Sequence, residues 1–217
     1  MRKALEIGGY ITAVVLIAFG AAAIYMGIQG RSTVSDSIKA EQIVGSADMT
    51  PSAIAGEAKA AGLTNVSLPT CDVANKAITS GTDARCFSQY MRIHALEATG
   101  GKTYAQMPRY ATEDGKGTND AAAAQKGANG QPMDNAARGV WIDETALSSA
   151  LNMSYMATQV ANFGIVVGIA LLLSGFGFGI LAAGGALRSR DSALFGKKMA
   201  DEKAAATAAA DREPVSV

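Results

Sequence analysis

Large aromatic side chains make up only 6% of this 217-residue chain, and its 49% hydrophobic fraction owes much to alanine. Aromatics dominate core burial, so any soluble part is expected to be thinly packed and helix-rich. A single histidine excludes a multi-histidine metal site. Gly-x-Ser-x-Gly, a Walker loop and a dinucleotide fingerprint are all missing, so hydrolase, phosphate and dinucleotide chemistry go unsignalled. Charge of neither sign is in excess, since 19 basic residues balance 19 acidic ones, and no field exists to recruit nucleic acid. No internal repeat is visible. These absences predict a protein that is not an enzyme and has no cofactor or metal.

What the chain does have is two charge-free apolar stretches, 7–30 and 145–187. Each exceeds the ~20 helical residues that cross a ~30 Å hydrocarbon core. A two-pass protein of the lipid bilayer is therefore expected. Neither stretch holds an Asp, Glu, Lys, Arg or His, which removes the usual sign of a proton relay or ion path and argues against a transporter or channel. Arg2 and Lys3 precede the first stretch, and Arg188, Arg190, Lys197 and Lys198 follow the second. Basic flanks stay in the cytoplasm, so both termini are expected inside and the central segment outside. Arg31 argues mildly the other way, but one charge on a long translocated segment counts for little.

The resulting plan is a cytoplasmic N-terminus at 1–6, transmembrane helices at 7–30 and 158–187, an extracytoplasmic domain with a helical stalk at 31–157, and a cytoplasmic tail at 188–217. An alternative plan makes the first stretch a cleaved signal, because Arg2 and Lys3, an apolar run and then Ala21, Ala22 and Ala23 imitate a signal peptide. The run continues through Ile24, Tyr25, Met26 and Ile28, which is longer than a signal core needs and suits an anchor.

Within the first stretch Gly9, Ala13, Leu16, Gly20, Ala23, Gly27, Gly30 and Val34 recur at alternating steps of four and three residues. That spacing places mostly small side chains along one seam of a helix pair. On the second, Ile142, Ala146, Ala150, Met153, Ala157, Ala161, Gly164, Gly168, Gly175 and Gly179 are read as one helical face. Close helix contacts are expected at Gly20, Ala23 and Gly27 and at Gly164, Gly168, Gly175 and Gly179. The partner is either the other span of the same chain or a neighbouring protein.

Between the spans, Thr50 and Pro51 start a helix of about ten residues that Gly62 stops. Val66 to Leu68 reads as extended, Asp72 to Thr79 as a short helix broken at Ser80 and Gly81, and Phe87 to Ala98 as the strongest helix, ended by Gly100 and Gly101. From 101 to 135 the chain is rich in Gly, Asn, Asp and Pro and is read as a mobile loop that can also carry a binding surface. The charged, Ala-rich tail is expected to be frayed or disordered.

Cys71 and Cys86 are the only cysteines, and in an oxidising compartment an even count predicts a bridge. His94, with Arg92 and Glu97 within a turn, reads as an ordinary helix member. Asp114, Thr118, Asn119 and Asp120 imitate a calcium loop, but Lys116 occupies a ligand position and no Glu stands at the twelfth place. Asn65 and Asn152 each begin a glycosylation sequon, which matters only in a eukaryotic secretory route. Trp141 and Tyr155 read as packing or interfacial aromatics.

The run MRIHALEATGGKTYAQMPRYATEDGKGTND, from Met91, and IVGSADMTP, from Ile43, resemble two-span membrane proteins of actinobacteria. The resemblance covers the central domain and both spans and implies a bacterial cell envelope. It brings no activity, cofactor or site residue with it. The expected fold is mainly α, with long transmembrane helices extending into a small helix-rich extracytoplasmic domain. The expected function is a structural or accessory subunit that assembles with itself or with a larger membrane complex. The alternative is a sensory or regulatory module whose extracytoplasmic domain detects a ligand.

Overall fold

The computed structural model describes residues 2–184, with side chains from Leu5 onward. The tail after 184, with its four basic residues next to the second apolar stretch, lies outside the described residues. The chain is mainly helical: α1 is Arg2–Ala40, α2 Pro51–Ala60, α3 Gly81–Ala98 and α4 Ala136–Ala183, with a 3-10 turn at Tyr104–Gln106. Among the described residues there is no strand, only isolated antiparallel bridges. Both α1 and α4 are long and apolar enough to cross a membrane, with mean hydropathies of 2.3 and 2.4 in their most apolar windows. Two compact units divide the chain, one of residues 2–24 and 166–184, the other Tyr25–Ile165.

In the first unit α1 and α4 run antiparallel with their backbones nearly touching. A Cβ placed on Gly20 would stand 2.8 Å from the Gly168 carbonyl oxygen, and one on Gly168 would stand 2.7 Å from the Gly20 oxygen. Gly175 meets the Ala13 carbonyl in the same way, at 3.1 Å. At Gly20 and Gly168 only hydrogen fits without a shift of backbone, and the close approach supplies the van der Waals contact that hydrophobicity cannot supply between helices in lipid. Gly179 is looser, its Cβ position 3.7 Å from the Ala13 Cβ. Since a disulfide spans Cβ atoms about 3.8 Å apart, an Ala13→Cys, Gly179→Cys double variant is expected to cross-link within one chain. Cross-linked dimers on a non-reducing gel would contradict the pairing.

The second unit continues both helices: Gly27 packs on Ala161 and Ile165, and Gly30 on Ala161. Its core joins Ile38 of α1, Ile54 and Ala58 of α2, Tyr90 and Ile93 of α3 and Leu151 of α4, with Met49, Val73 and Ile78 from the connections. Thr50 caps α2, its hydroxyl accepting from the Ala53 amide at 3.2 Å, and Pro51 opens the first turn, as the sequence predicted. Helix α3 starts six residues before Phe87. Ser80 is not a breaker but the N-cap, its hydroxyl accepting from the Asp83 amide, and Gly81 lets α3 approach α4, where a Cβ would lie 2.8 Å from the Ser154 oxygen.

Asp72 to Thr79 is not a helix. Its backbone pairs with 43–49 through Gly45 N to Lys76 O and Ile78 N to Ile43 O, both 2.9 Å, and Asn75 turns through φ 56°. Gly45 presses so closely on the Val73 carbonyl that no side chain fits there. Residues 101–135 are likewise more organised than a bare loop. Tyr110 bridges both Thr118 and Asp134, and Lys126 bridges Pro132.

The seam read on α1 holds over its length: Gly9, Ala13, Gly20 and Gly27 are buried, and Leu16, Ala23, Gly30 and Val34 half-buried. On α4 the expected face is correct only from Ala161 onward. Ile142, Ala146, Ala150, Met153 and Ala157 are exposed, while Trp141, Glu144 and Leu151 are buried and Ser148, Ser154 and Thr158 half-buried. The true face keeps steps of three and four and accepts polar residues. A run of mostly four-residue steps drifts around the helix.

Candidate functional site

The Cys71–Cys86 disulfide ties the connection after α2 to the second turn of α3 across a sequence separation of 15. Beside it the fully buried Tyr90 donates its hydroxyl to the Cys71 carbonyl at 2.5 Å. Burial, reinforced by the negative charge of Asp72, raises the Tyr90 pKa above its ordinary 10.0. A raised folded-state pKa means that this contribution to stability is complete below pH 10 and is lost as pH rises through the elevated value. Tyr90→Phe should therefore flatten the alkaline fall in thermal midpoint. At neutral pH it should cost about 1–3 kcal/mol, because the Cys71 carbonyl loses its buried donor.

A second polar anchor joins α3 to α4. Glu144 is buried, accepts from Arg92 Nη1 at 3.1 Å and from Ser148 at 2.8 Å, and Arg92 also lies over the Trp141 ring at 4.0 Å. Trp141 is therefore a packing residue. Arg92 is committed to this anchor and not to its helix neighbour His94.

His94 instead faces two carboxylates from other segments. Asp48 sits in the turn Ser46–Met49 that follows α1, Glu57 on α2 and His94 on α3. The helices meet through Ile54 and Ala58 on α2 and Tyr90 and Ile93 on α3, and this apolar contact holds Glu57 and His94 at its edge. His94 Nε2 lies 3.3 Å from Asp48 Oδ2 and 3.4 Å from Glu57 Oε2. That nitrogen is inaccessible to solvent and makes no hydrogen bond, because neither oxygen lies in line for one. The other Asp48 oxygen accepts the Ser46 hydroxyl, which is the main cause holding this carboxyl below its ordinary pKa, with burial opposing and the facing imidazole assisting. His94 also lines a groove of about 340 Å³ with Met91, Ala98, Val140 and Leu147.

The loop residue Asp114 is turned inward on its own segment, accepting from the Thr112 hydroxyl at 2.5 Å and the Lys116 amide at 3.2 Å. Asn119 accepts from the Arg109 amide, and Asp120 from the Ala122 amide. The oxygens read as an imitation calcium loop are thus used locally. Tyr155 stacks under Arg85 at 4.7 Å.

Comparisons with protein-family models, with curated proteins and with solved structures find no match for this chain.

Sequence reasoning missed the Asp48, Glu57 and His94 constellation because its members come from three separate segments with no fixed spacing. The only available signals were that His94 falls one turn after Tyr90, on the face that α2 covers, and that Glu57 lies beside the buried Ala58.

Proposed function

We propose that this chain is a non-enzymatic, two-pass protein of a bacterial cell membrane, with both termini in the cytoplasm and the disulfide-braced segment outside. It serves as a structural or accessory subunit that assembles with itself or with a larger membrane complex. The observation that carries this reading is the division of labour on the long helices. Small residues fill the seam, while Phe19 is 67%, Met26 71%, Phe163 69% and Leu173 68% exposed. Only 17% of each apolar window is buried, whereas a core helix of a soluble protein would be mostly covered. In hydrocarbon such faces carry no cost, and both helices satisfy their own backbone groups. The small-residue seam is occupied within the chain, so assembly has to use the outward faces. The disulfide fits an oxidising compartment, and the basic residues outside both spans fit the orientation.

Reporter fusions at Val217 and near Asn129 should report opposite sides of the membrane. An extracytoplasmic signal at Val217 would overturn the topology, and mature protein beginning after Ala23 would replace it with a cleaved signal. Native mass spectrometry from mild detergent should find a defined oligomer or a stoichiometric membrane partner. A bare monomer in native lipid would remove the accessory-subunit reading.

A further inference from the structure

We propose that Asp48, Glu57 and His94 bind a divalent first-row transition-metal cation, with Zn2+ the best fit, and that a solvent molecule completes the coordination. The site is independent of the membrane reading, since all three residues lie in the second unit. One imidazole nitrogen and two carboxylate oxygens converge with every ligand atom within 4.8 Å of the others. The two nitrogen-to-oxygen separations bear on the occupant. Nε2 stands 3.3 and 3.4 Å from the two oxygens, too long and too far out of line for charge-assisted hydrogen bonds, which run at about 2.7–2.9 Å. In a tetrahedral zinc site with bonds of about 2.0–2.1 Å, neighbouring ligand atoms are about 3.3–3.4 Å apart along the tetrahedron edge. An octahedral magnesium site of the same bond length needs edges of about 3 Å and prefers an all-oxygen shell. A nitrogen ligand therefore selects the transition metal.

The surroundings support the assignment. Ser46 holds the outer oxygen of Asp48, which turns Oδ2 toward His94, the orienting role that partners of metal-bound carboxylates usually play. The apolar contact of Ile54, Ala58 and Ile93 fixes Glu57 and His94 from behind. The three side chains remain 40%, 31% and 30% exposed, so the cluster lies at the protein surface although Nε2 itself is covered. A bound cation joins the turn after α1, α2 and α3 at the edge of a thin core.

The test uses the full chain in detergent with its disulfide intact, stripped by a chelator and titrated with zinc chloride or cobalt chloride. Saturation at one equivalent is expected, with the strong visible absorption of tetrahedral Co2+ and a rise in thermal midpoint on adding zinc. Asp48→Asn and Glu57→Gln, which keep side-chain shape, should each weaken zinc binding at least about ten-fold, and Ser46→Ala about ten-fold, the lower end of the usual loss for an orienting partner. Circular dichroism of these variants confirms their fold. The proposal is overturned by the absence of saturable binding at one equivalent, by affinity unchanged in both carboxamide variants, or by displacement with equimolar Mg2+. It is also overturned if adding zinc to the stripped protein leaves its thermal midpoint unchanged.

Discussion

Gly168→Leu should lower the stability of the helix pair by about 3 kcal/mol or more, the upper end of what overpacking a close contact costs. The new Cβ alone would stand 2.7 Å from the Gly20 carbonyl oxygen and 3.0 Å from the Ile24 amide nitrogen. Those are backbone atoms, which cannot rotate away as a side chain does. Relief requires the helices to separate, and separation forfeits dispersion contact along neighbouring turns. Gly20→Leu should act similarly, since its Cβ would meet the Gly168 oxygen at 2.8 Å. Two controls bracket the result: Gly177→Leu, where a Cβ meets nothing within 4 Å, and Leu172→Ile, a change of shape at constant volume that should cost less than about 1.5 kcal/mol. Thermal unfolding in detergent, followed by helix signal, makes the comparison. Equal midpoints for Gly168→Leu and Gly177→Leu would show that the glycine seam does not hold the helices together.

Replacing Cys71 and Cys86 together by Ser should cost about 3 kcal/mol, the chain-entropy value for a loop of about 15 residues. The effect is large for this domain because the core it braces is small. The bridge closes the loop between α2 and α3, and Tyr90 docks on the Cys71 carbonyl from the helix that the bridge anchors. Loss of the bridge should therefore also loosen the Tyr90 hydroxyl and make the alkaline transition of the variant shallower. Membrane insertion should be unchanged, since it depends on the apolar spans. Mass spectrometry of unreduced peptides checks the bond itself, and alkylatable thiols at both positions in native protein would refute it.

Some of this architecture is local chemistry and can be read from neighbouring residues. Thr50 before Pro51 starts α2 because a hydroxyl cap and a fixed φ satisfy and preset the first turn, and Gly100 and Gly101 end α3 with φ of 60° and 75°. The α1 seam is equally local, since alternating steps of four and three put Ala13, Gly20 and Gly27 on one side of any helix. Other features resisted such reading for definite reasons. Ser80 and Gly81 look like a break, yet the same residues cap α3 and allow its approach to α4. Asp72 to Thr79 has the composition of a short helix, but pairing with 43–49 satisfies its backbone instead. On α4 a search for small apolar residues followed the exposed Ala146, Ala150 and Ala157. The buried side carries Glu144, Ser148 and Thr158, polar groups whose partners lie on α3 or within the helix.

By itself, then, the sequence determined two apolar helices long enough to span a bilayer, the small-residue register of α1, the cap of α2 and the opportunity for a disulfide. These depend on hydropathy, helical periodicity and residue chemistry, which act over a few turns or on composition. Only the tertiary structure decided that α1 takes α4 of its own chain as partner, that Arg92 turns to Glu144, and that His94 meets Asp48 and Glu57. Each of these is a contact between segments distant along the chain, and no local periodicity encodes which distant groups a folded backbone brings within 3–4 Å of one another.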